Sequence, residues 1–65
     1  MAGESGDPAS RLRHDIANPL SALLAEVQLM LLDAEKLDEA TVRGLREMER
    51  LAGRMRTILR ESREP

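Results

Sequence analysis

Apolar residues recur at intervals of three and four positions in the first half of the chain. This spacing gathers them on one stripe of a helix with 3.6 residues per turn. The residues of this stripe are Leu12, Ile16, Pro19, Leu20, Leu23, Val27, Met30 and Leu31. Asp7 offers an N-cap, and Pro8 then stands at the first helical position, where its missing N–H does no harm; Ser10 is a later alternative cap. The pattern predicts a first helix over residues 9–33.

The segment DAEKLD, residues 33–38, interrupts the apolar period and predicts a turn over residues 33–37. Asp38 can cap a second helix, and Glu39 brings a favourable negative charge to its first turn. A second helix over residues 39–62 is therefore predicted. Its apolar stripe comprises Val42, Leu45, Met48, Leu51, Ala52, Met55, Ile58 and Leu59. Its opposite, solvated face is predicted to carry Arg43, Arg46, Arg50 and Arg54.

Two long helices joined by a short turn form an antiparallel pair. We therefore predict an all-α fold, a two-helix hairpin over residues 8–63, with residues 1–7 as a flexible lead-in. Each apolar stripe is wider than one partner helix can cover, with the Leu20 flank on one side and the flank of Leu12, Pro19 and Met30 on the other. Self-association would cover the remainder, so we expect a homodimer that forms a four-helix bundle.

Composition narrows the possible partners. The 65 residues include no cysteine and no aromatic residue, and the formal net charge is −2. A chain without stacking side chains or a basic field is a poor candidate for nucleic-acid binding. The longest apolar region, residues 20–32, is interrupted by polar residues and is shorter than the roughly 20 residues that span a bilayer. We expect no membrane contact by this segment and a cytoplasmic domain that depends on partner proteins.

The only histidine, His14, lies opposite the apolar stripe on a helical wheel, on a polar stripe with Asn18, and Asp15 lies on the flank of that stripe. Pro19 follows within the same helix. A proline there has no N–H to donate to the carbonyl of Asp15, and it should kink or loosen the helix at that turn. We predict that this weak turn lets His14 change its presentation to different partners.

The heptapeptide HDIANPL, from His14 to Leu20, resembles the H-box of sensor histidine kinases. The whole hairpin is similar to the dimerisation and histidine-phosphotransfer domain of that family. The resemblance implies that His14 accepts a phosphoryl group from ATP through a nucleotide-binding domain and passes it to an aspartate of a response regulator receiver domain. It also implies that Asp15 orients the imidazole or takes its proton. Asn18 would position the phosphate-donating domain or a hydrolytic water.

No part of the chain resembles the ATP-binding domain of that family, so the chain is not a kinase on its own. ATP and Mg²⁺ are expected on a separate catalytic domain, and no cofactor is expected here. The chain reads as a piece of a longer kinase, with a natural stand-alone relay protein as the alternative. A different function, that of a helical-hairpin oligomerisation module without phosphotransfer chemistry, shares the same fold. Metal binding has little support, because His14 and its neighbour Asp15 lack the i, i+4 spacing that places two ligands on one helix face.

Overall fold

The computed structural model of the chain describes residues 7–62, which form two α-helices packed against each other. Helix α1 spans Pro8–Leu31 and helix α2 spans Glu39–Glu61, with a short 3₁₀ turn at Ala34–Lys36 between them. The described residues are all-helical and form the predicted hairpin. The expected lead-in lies outside the described residues except for Asp7, which ends it.

Local hydrogen bonds explain where the helices begin and end. The Oδ1 atom of Asp7 accepts a hydrogen bond from the backbone N–H of Ala9 at 3.1 Å, and α1 begins at Pro8. The Oδ1 atom of Asp38 accepts one from the N–H of Thr41 at 2.8 Å at the start of α2. Side chains thus satisfy one of the unpaired N–H groups at each helix start.

Helix α1 ends at Leu31, two residues before the predicted end. The N–H of Leu32 bonds to the carbonyl of Leu29 at 3.2 Å, and the N–H of Asp33 bonds to the carbonyl of Met30 at 3.3 Å. These bonds span three residues instead of four and tighten the end of the helix into the turn.

The core between the two helices is narrower than the predicted stripes. Its buried residues are Leu20, Leu24 and Val27 of α1 with Leu45 and Ala52 of α2. Leu59 packs against the cluster of Leu20, Leu24 and Ala52. Leu24 was absent from the predicted stripe, whereas Leu23, at the centre of that stripe, is 56% exposed. One partner helix covers only one sector of its neighbour, and that sector is centred on the Leu20 flank.

The other flank of both stripes stays exposed, and we call it the apolar face. It consists of Leu12, Ile16, Leu23 and Met30 of α1 with Met48, Leu51, Met55 and Ile58 of α2. On each helix these residues lie about a quarter turn from the buried row, in the same rotational sense. Because the helices are antiparallel, equal offsets place both sets on the same side of the hairpin. The hairpin is only 12 Å across in its thinnest dimension, so it is a single layer of helices.

Candidate functional site

His14 lies in the groove between the two helices, on the side of the hairpin opposite the apolar face. The groove has a volume of about 440 Å³. We call it the histidine groove, and it is lined by Ser10, Arg13, His14, Ala17, Asn18, Ser21, Arg56, Leu59 and Arg60. His14 itself is exposed, as the helical wheel predicts. A side chain in this position is accessible to another protein.

The antiparallel arrangement brings the beginning of α1 beside the end of α2. The guanidinium Nη1 of Arg13 donates a hydrogen bond to the backbone carbonyl of Ser62 at 3.4 Å. Nearer the turn, Nε2 of Gln28 donates to Oε2 of Glu49 at 3.2 Å. Both contacts join the two helices through polar side chains, and the one from Arg13 lies at the end of the hairpin where α2 forms the second wall of the histidine groove.

Small side chains keep the α1 wall of the groove low. Ala17 and Ser21 lie on the same wall as His14, and Asn18 lies one turn after it. The short side chains leave the imidazole uncovered by its neighbours along the helix. His14 and Asn18 therefore both border the space that an incoming group would occupy.

Three of the groove residues are arginines: Arg13 of α1 with Arg56 and Arg60 of α2. No aspartate or glutamate lines the groove within residues 7–62. A concave surface with cationic side chains and no carboxylate favours an anionic ligand. These arginines are not among the site residues predicted from the sequence, although Arg56 and Arg60 have the i, i+4 spacing that places two side chains on one helix face.

The arginine row predicted to be solvated is exposed on α2, as expected. Within this row Arg50 forms an ion pair with Glu47, with 2.7 Å between Nη2 and Oε2. The hydrogen bonds from Arg50 lower the pKa of the Glu47 carboxyl, and the same contact raises the pKa of Arg50. This arginine therefore has a local partner on its own helix, and it does not line the histidine groove.

Asn18 and Asp15 are both exposed on α1 but line different hollows of the surface. Asn18 lies in the histidine groove, whereas Asp15 lines a separate shallow hollow with Pro8, Arg11 and Leu12. Between residues 7 and 62 no hydrogen bond connects Asp15 to His14. The contact between Asp15 and the imidazole that the resemblance implies is therefore absent here. It would require a different side-chain rotamer of Asp15 or a shift of the backbone at this turn.

Pro19 lies inside α1, which continues through it from Pro8 to Leu31. Proline has no N–H, so the carbonyl of Asp15 lacks its usual helical donor. This carbonyl belongs to the residue that follows His14. The interruption in the hydrogen-bond ladder thus lies directly beside the histidine, as the sequence indicates.

The described residues contain no cluster of three or more histidine and carboxylate side chains suited to holding a metal ion. Neither of the two helices is sufficiently long and apolar to cross a bilayer.

Comparison with protein-family models, with curated proteins and with solved structures found no match to this chain. The function is therefore inferred from the residues of the groove, from the apolar face and from the resemblance of the HDIANPL segment.

Proposed function

We propose that this chain is the dimerisation and phosphoacceptor domain of a two-component sensor histidine kinase, with His14 as the phosphoacceptor. The observation that carries the proposal is the position of the single histidine. It is exposed in an inter-helix groove, beside Asn18 and next to a proline-interrupted turn. These are the residues of the segment that resembles the H-box.

The chemistry suits an exposed neutral imidazole. Its unprotonated ring nitrogen attacks the γ-phosphorus of ATP, an N–P bond forms, and the bond to the bridging oxygen breaks with its electron pair going to ADP. The proton on the other ring nitrogen then leaves to a base. In the second step a carboxylate oxygen of a receiver domain attacks phosphorus, the N–P bond breaks and the imidazole regains a proton. Phosphoryl transfer of this kind depends mainly on positioning and on stabilising charge.

The neighbouring residues have separate roles in this proposal. Asp15 takes or orients the imidazole proton, a role that requires its carboxylate to move from the flank towards the ring. Asn18 already lies in the groove, where its amide positions the donor domain or a hydrolytic water. Pro19 weakens the turn that contains the carbonyl of Asp15 and so supplies the local freedom that such a movement needs.

The apolar face supports the dimeric part of the proposal. The hairpin alone buries only a few apolar side chains, and a single layer of two helices leaves large leucine, isoleucine and methionine residues in water. Small domains with so little core are commonly stabilised by self-association. A second copy offers an identical apolar face, and a symmetric dimer that pairs the two faces forms a four-helix bundle.

The pairing of the apolar faces leaves both histidine grooves on the outside of the bundle, because each groove lies on the opposite side of its hairpin. His14 then remains accessible to the two partners that the proposal requires. These are a cytoplasmic nucleotide-binding domain, which holds ATP and Mg²⁺, and the receiver domain of a response regulator.

The second candidate function is a helical-hairpin oligomerisation module in which His14 has no chemical role. The apolar face favours this candidate as much as it favours the first, since both functions need a dimer. The two candidate functions make different predictions only for the chemistry of His14 in the histidine groove.

The test is to incubate the chain with a histidine-kinase nucleotide-binding domain, Mg²⁺ and ATP labelled at the γ-phosphate. The proposal predicts label on the chain that is lost in acid and retained in alkali, as expected for phosphohistidine. The variant His14→Gln should take up no label, whereas Asp15→Asn should slow labelling without removing the acceptor. Failure of the wild-type chain to take up label with nucleotide-binding domains of several histidine kinases, under conditions where each labels its own partner, supports the oligomerisation module.

A further inference from the structure

The histidine groove contains a group of cationic side chains that the proposed phosphoacceptor role of His14 does not by itself explain. Arg13 comes from α1, while Arg56 and Arg60 come from successive turns of α2, and all three line the groove together with His14. We propose that these three arginines form an anion subsite that binds the phosphoryl group carried by His14. This inference rests on the proposed function, because it concerns the same histidine.

The chemistry of the subsite matches a phosphoryl group. A phosphoryl group on an imidazole nitrogen presents three oxygen atoms that share a negative charge of up to two. Guanidinium groups are planar, carry several N–H donors and bind such oxygens in pairs. Arg56 and Arg60 reach the groove from one helix face, and Arg13 approaches from the opposite wall, so the group would be held from two sides.

Two of the three arginines lie where the end of α2 by itself disfavours an anion. The carbonyl end of a helix carries a partial negative charge, which repels an anion. Arg60 lies in the last turn of α2, and Arg13 donates to the carbonyl of Ser62, which follows that turn. Both arginines therefore offset the negative helix end where it faces the groove.

Arg13 is also held in place. Its hydrogen bond to Ser62 uses one of the five N–H donors of a guanidinium group. No carboxylate within residues 7–62 forms an ion pair with Arg13, Arg56 or Arg60, in contrast to Arg50, which is paired with Glu47. No described carboxylate therefore compensates the charges of the groove arginines, whereas Glu47 compensates the charge of Arg50 on the solvated face.

A structural role offers the simpler explanation for these residues, since cations near the end of a helix stabilise it. The two roles make different predictions. A structural role affects helix stability and leaves the reactivity of His14 unchanged. An anion subsite affects the rate at which His14 gains a phosphoryl group and makes that rate depend on salt.

The experiment loads the full chain with phosphoramidate, a donor that needs no second protein. The ring nitrogen of His14 attacks phosphorus, and ammonia leaves with the electron pair and a proton. Phosphorus NMR follows the phosphohistidine signal. The test variant is Arg56→Gln with Arg60→Gln, and the matched control is Arg43→Gln with Arg54→Gln. Both variants remove two positive charges from α2, but only the first removes them from the histidine groove.

The anion subsite predicts that the groove variant loads about fivefold more slowly than wild type, the product of two exposed charge interactions. The control variant should load at nearly the wild-type rate.

Raising the ionic strength should slow wild type and control and have little effect on the groove variant. Replacement of the same two residues by lysine should restore part of the rate, because the charge returns without the paired donors. Thermal unfolding of each variant shows whether a change in rate merely follows a change in stability.

Equal loading rates in wild type and the groove variant would overturn the subsite, as would an equal loss in groove and control variants. A second arm does not depend on phosphorylation: inorganic phosphate added to the unloaded chain should shift the side-chain N–H signals of Arg13, Arg56 and Arg60 and leave those of Arg43 and Arg54 in place. If these shifts occur but labelled ATP never phosphorylates His14, the subsite stands and the phosphoacceptor role fails. If labelling occurs without them, the phosphoacceptor role stands and the subsite fails.

Discussion

Leu23 and Leu24 are neighbours in the sequence but lie in different environments: Leu24 is 7% exposed in the core between the helices, and Leu23 is 56% exposed on the apolar face. Successive residues of a helix point about 100° apart, so the two side chains report on two different surfaces of α1. One surface is covered by α2. The other is the surface that we propose a second copy covers.

The same substitution at these two positions should therefore have different effects. Leu24→Ala removes buried methyl groups and should lower the free energy of unfolding by about 2 kcal/mol or more at every protein concentration. Leu23→Ala should have little effect in a dilute sample, where its side chain is already in water. In a concentrated sample it should weaken dimerisation by about tenfold, since each dimer loses two side-chain contacts.

Thermal unfolding followed by circular dichroism and analytical ultracentrifugation across a concentration series measures both effects. The dimeric bundle is wrong if wild type sediments as a folded monomer at micromolar concentration. It is also wrong if Leu23→Ala leaves the sedimentation profile unchanged where wild type is dimeric.

Pro19 allows a test of the weakened turn beside His14. Pro19→Ala restores the missing N–H to the carbonyl of Asp15, and it should stabilise α1 by up to about 3 kcal/mol if the surrounding helix relaxes. Hydrogen exchange should become slower for the amides of this turn. Pro8→Ala is the matched control, because Pro8 occupies the first helical position, where an N–H has no intrahelical acceptor. Exchange profiles around residue 15 that match in wild type and Pro19→Ala would remove the mechanical role of this proline.

The cap of α2 should make the stability of the hairpin depend on pH. The hydrogen bonds from Thr41 lower the pKa of the Asp38 carboxyl, so the folded-state pKa lies below the unfolded value. A carboxyl of this kind contributes stability above its unfolded pKa, and the contribution disappears as the pH falls through the folded pKa. We expect helicity and melting temperature to fall from about pH 5 towards pH 2, with Asp38 responsible for part of the loss.

Asp38→Asn keeps a side-chain acceptor that does not titrate, so it serves as the control. Its melting temperature should fall less than that of wild type over the same acidic range. Identical pH profiles for the two proteins would show that the charge on Asp38 makes no contribution to the capping of α2.

The sequence was sufficient to predict the two helices, their turn and the outward position of His14, because these depend on local signals. Apolar spacing, the caps at Asp7 and Asp38, and the break at residues 33–38 each act within a few residues. The sequence did not predict which flank of the apolar stripe would be buried and which would stay exposed. It depends on the angle at which α2 packs on α1, and the periodicity of one helix does not contain that angle.

The groove arginines were missed for a similar reason. Arg56 and Arg60 lie close to His14 only because the chain reverses direction. Arg13 precedes His14 directly in the sequence, but it meets the end of α2 only because its own helix begins there. Once the hairpin is predicted, residues at equal distances from the turn face each other. Aligning the two helices outwards from the turn therefore predicts from the sequence that Arg56 and Arg60 lie opposite His14.

The two glycines within α2 provide a further test of the exposed surfaces. A Cβ atom added at Gly53 or at Gly44 would meet no atom within 4 Å, and neither residue has a positive φ. Gly53→Ala should therefore raise the free energy of unfolding by about 0.5 to 1 kcal/mol through helix propensity. Gly44 lies one turn before Met48 on the side of the apolar face, so in a dimer the added methyl group meets the second copy.

Gly44→Ala should accordingly give a smaller gain than Gly53→Ala in concentrated samples and the same gain in dilute ones, as measured by thermal unfolding. An equal gain at both positions at every concentration would argue that Gly44 does not contact a second copy.

The most direct test of the central claim is the transfer of a phosphoryl group from His14 to a receiver domain. The chain is loaded at His14, freed of donor, and mixed with Mg²⁺ and purified receiver domains, and the phosphohistidine signal is followed by phosphorus NMR. The account predicts that at least one receiver removes the group from His14 much faster than it hydrolyses spontaneously, and that the same receiver with its acceptor aspartate changed to asparagine does not. Loss of the group at the spontaneous rate with every receiver would contradict the account and leave His14 as a surface residue of an oligomerisation module.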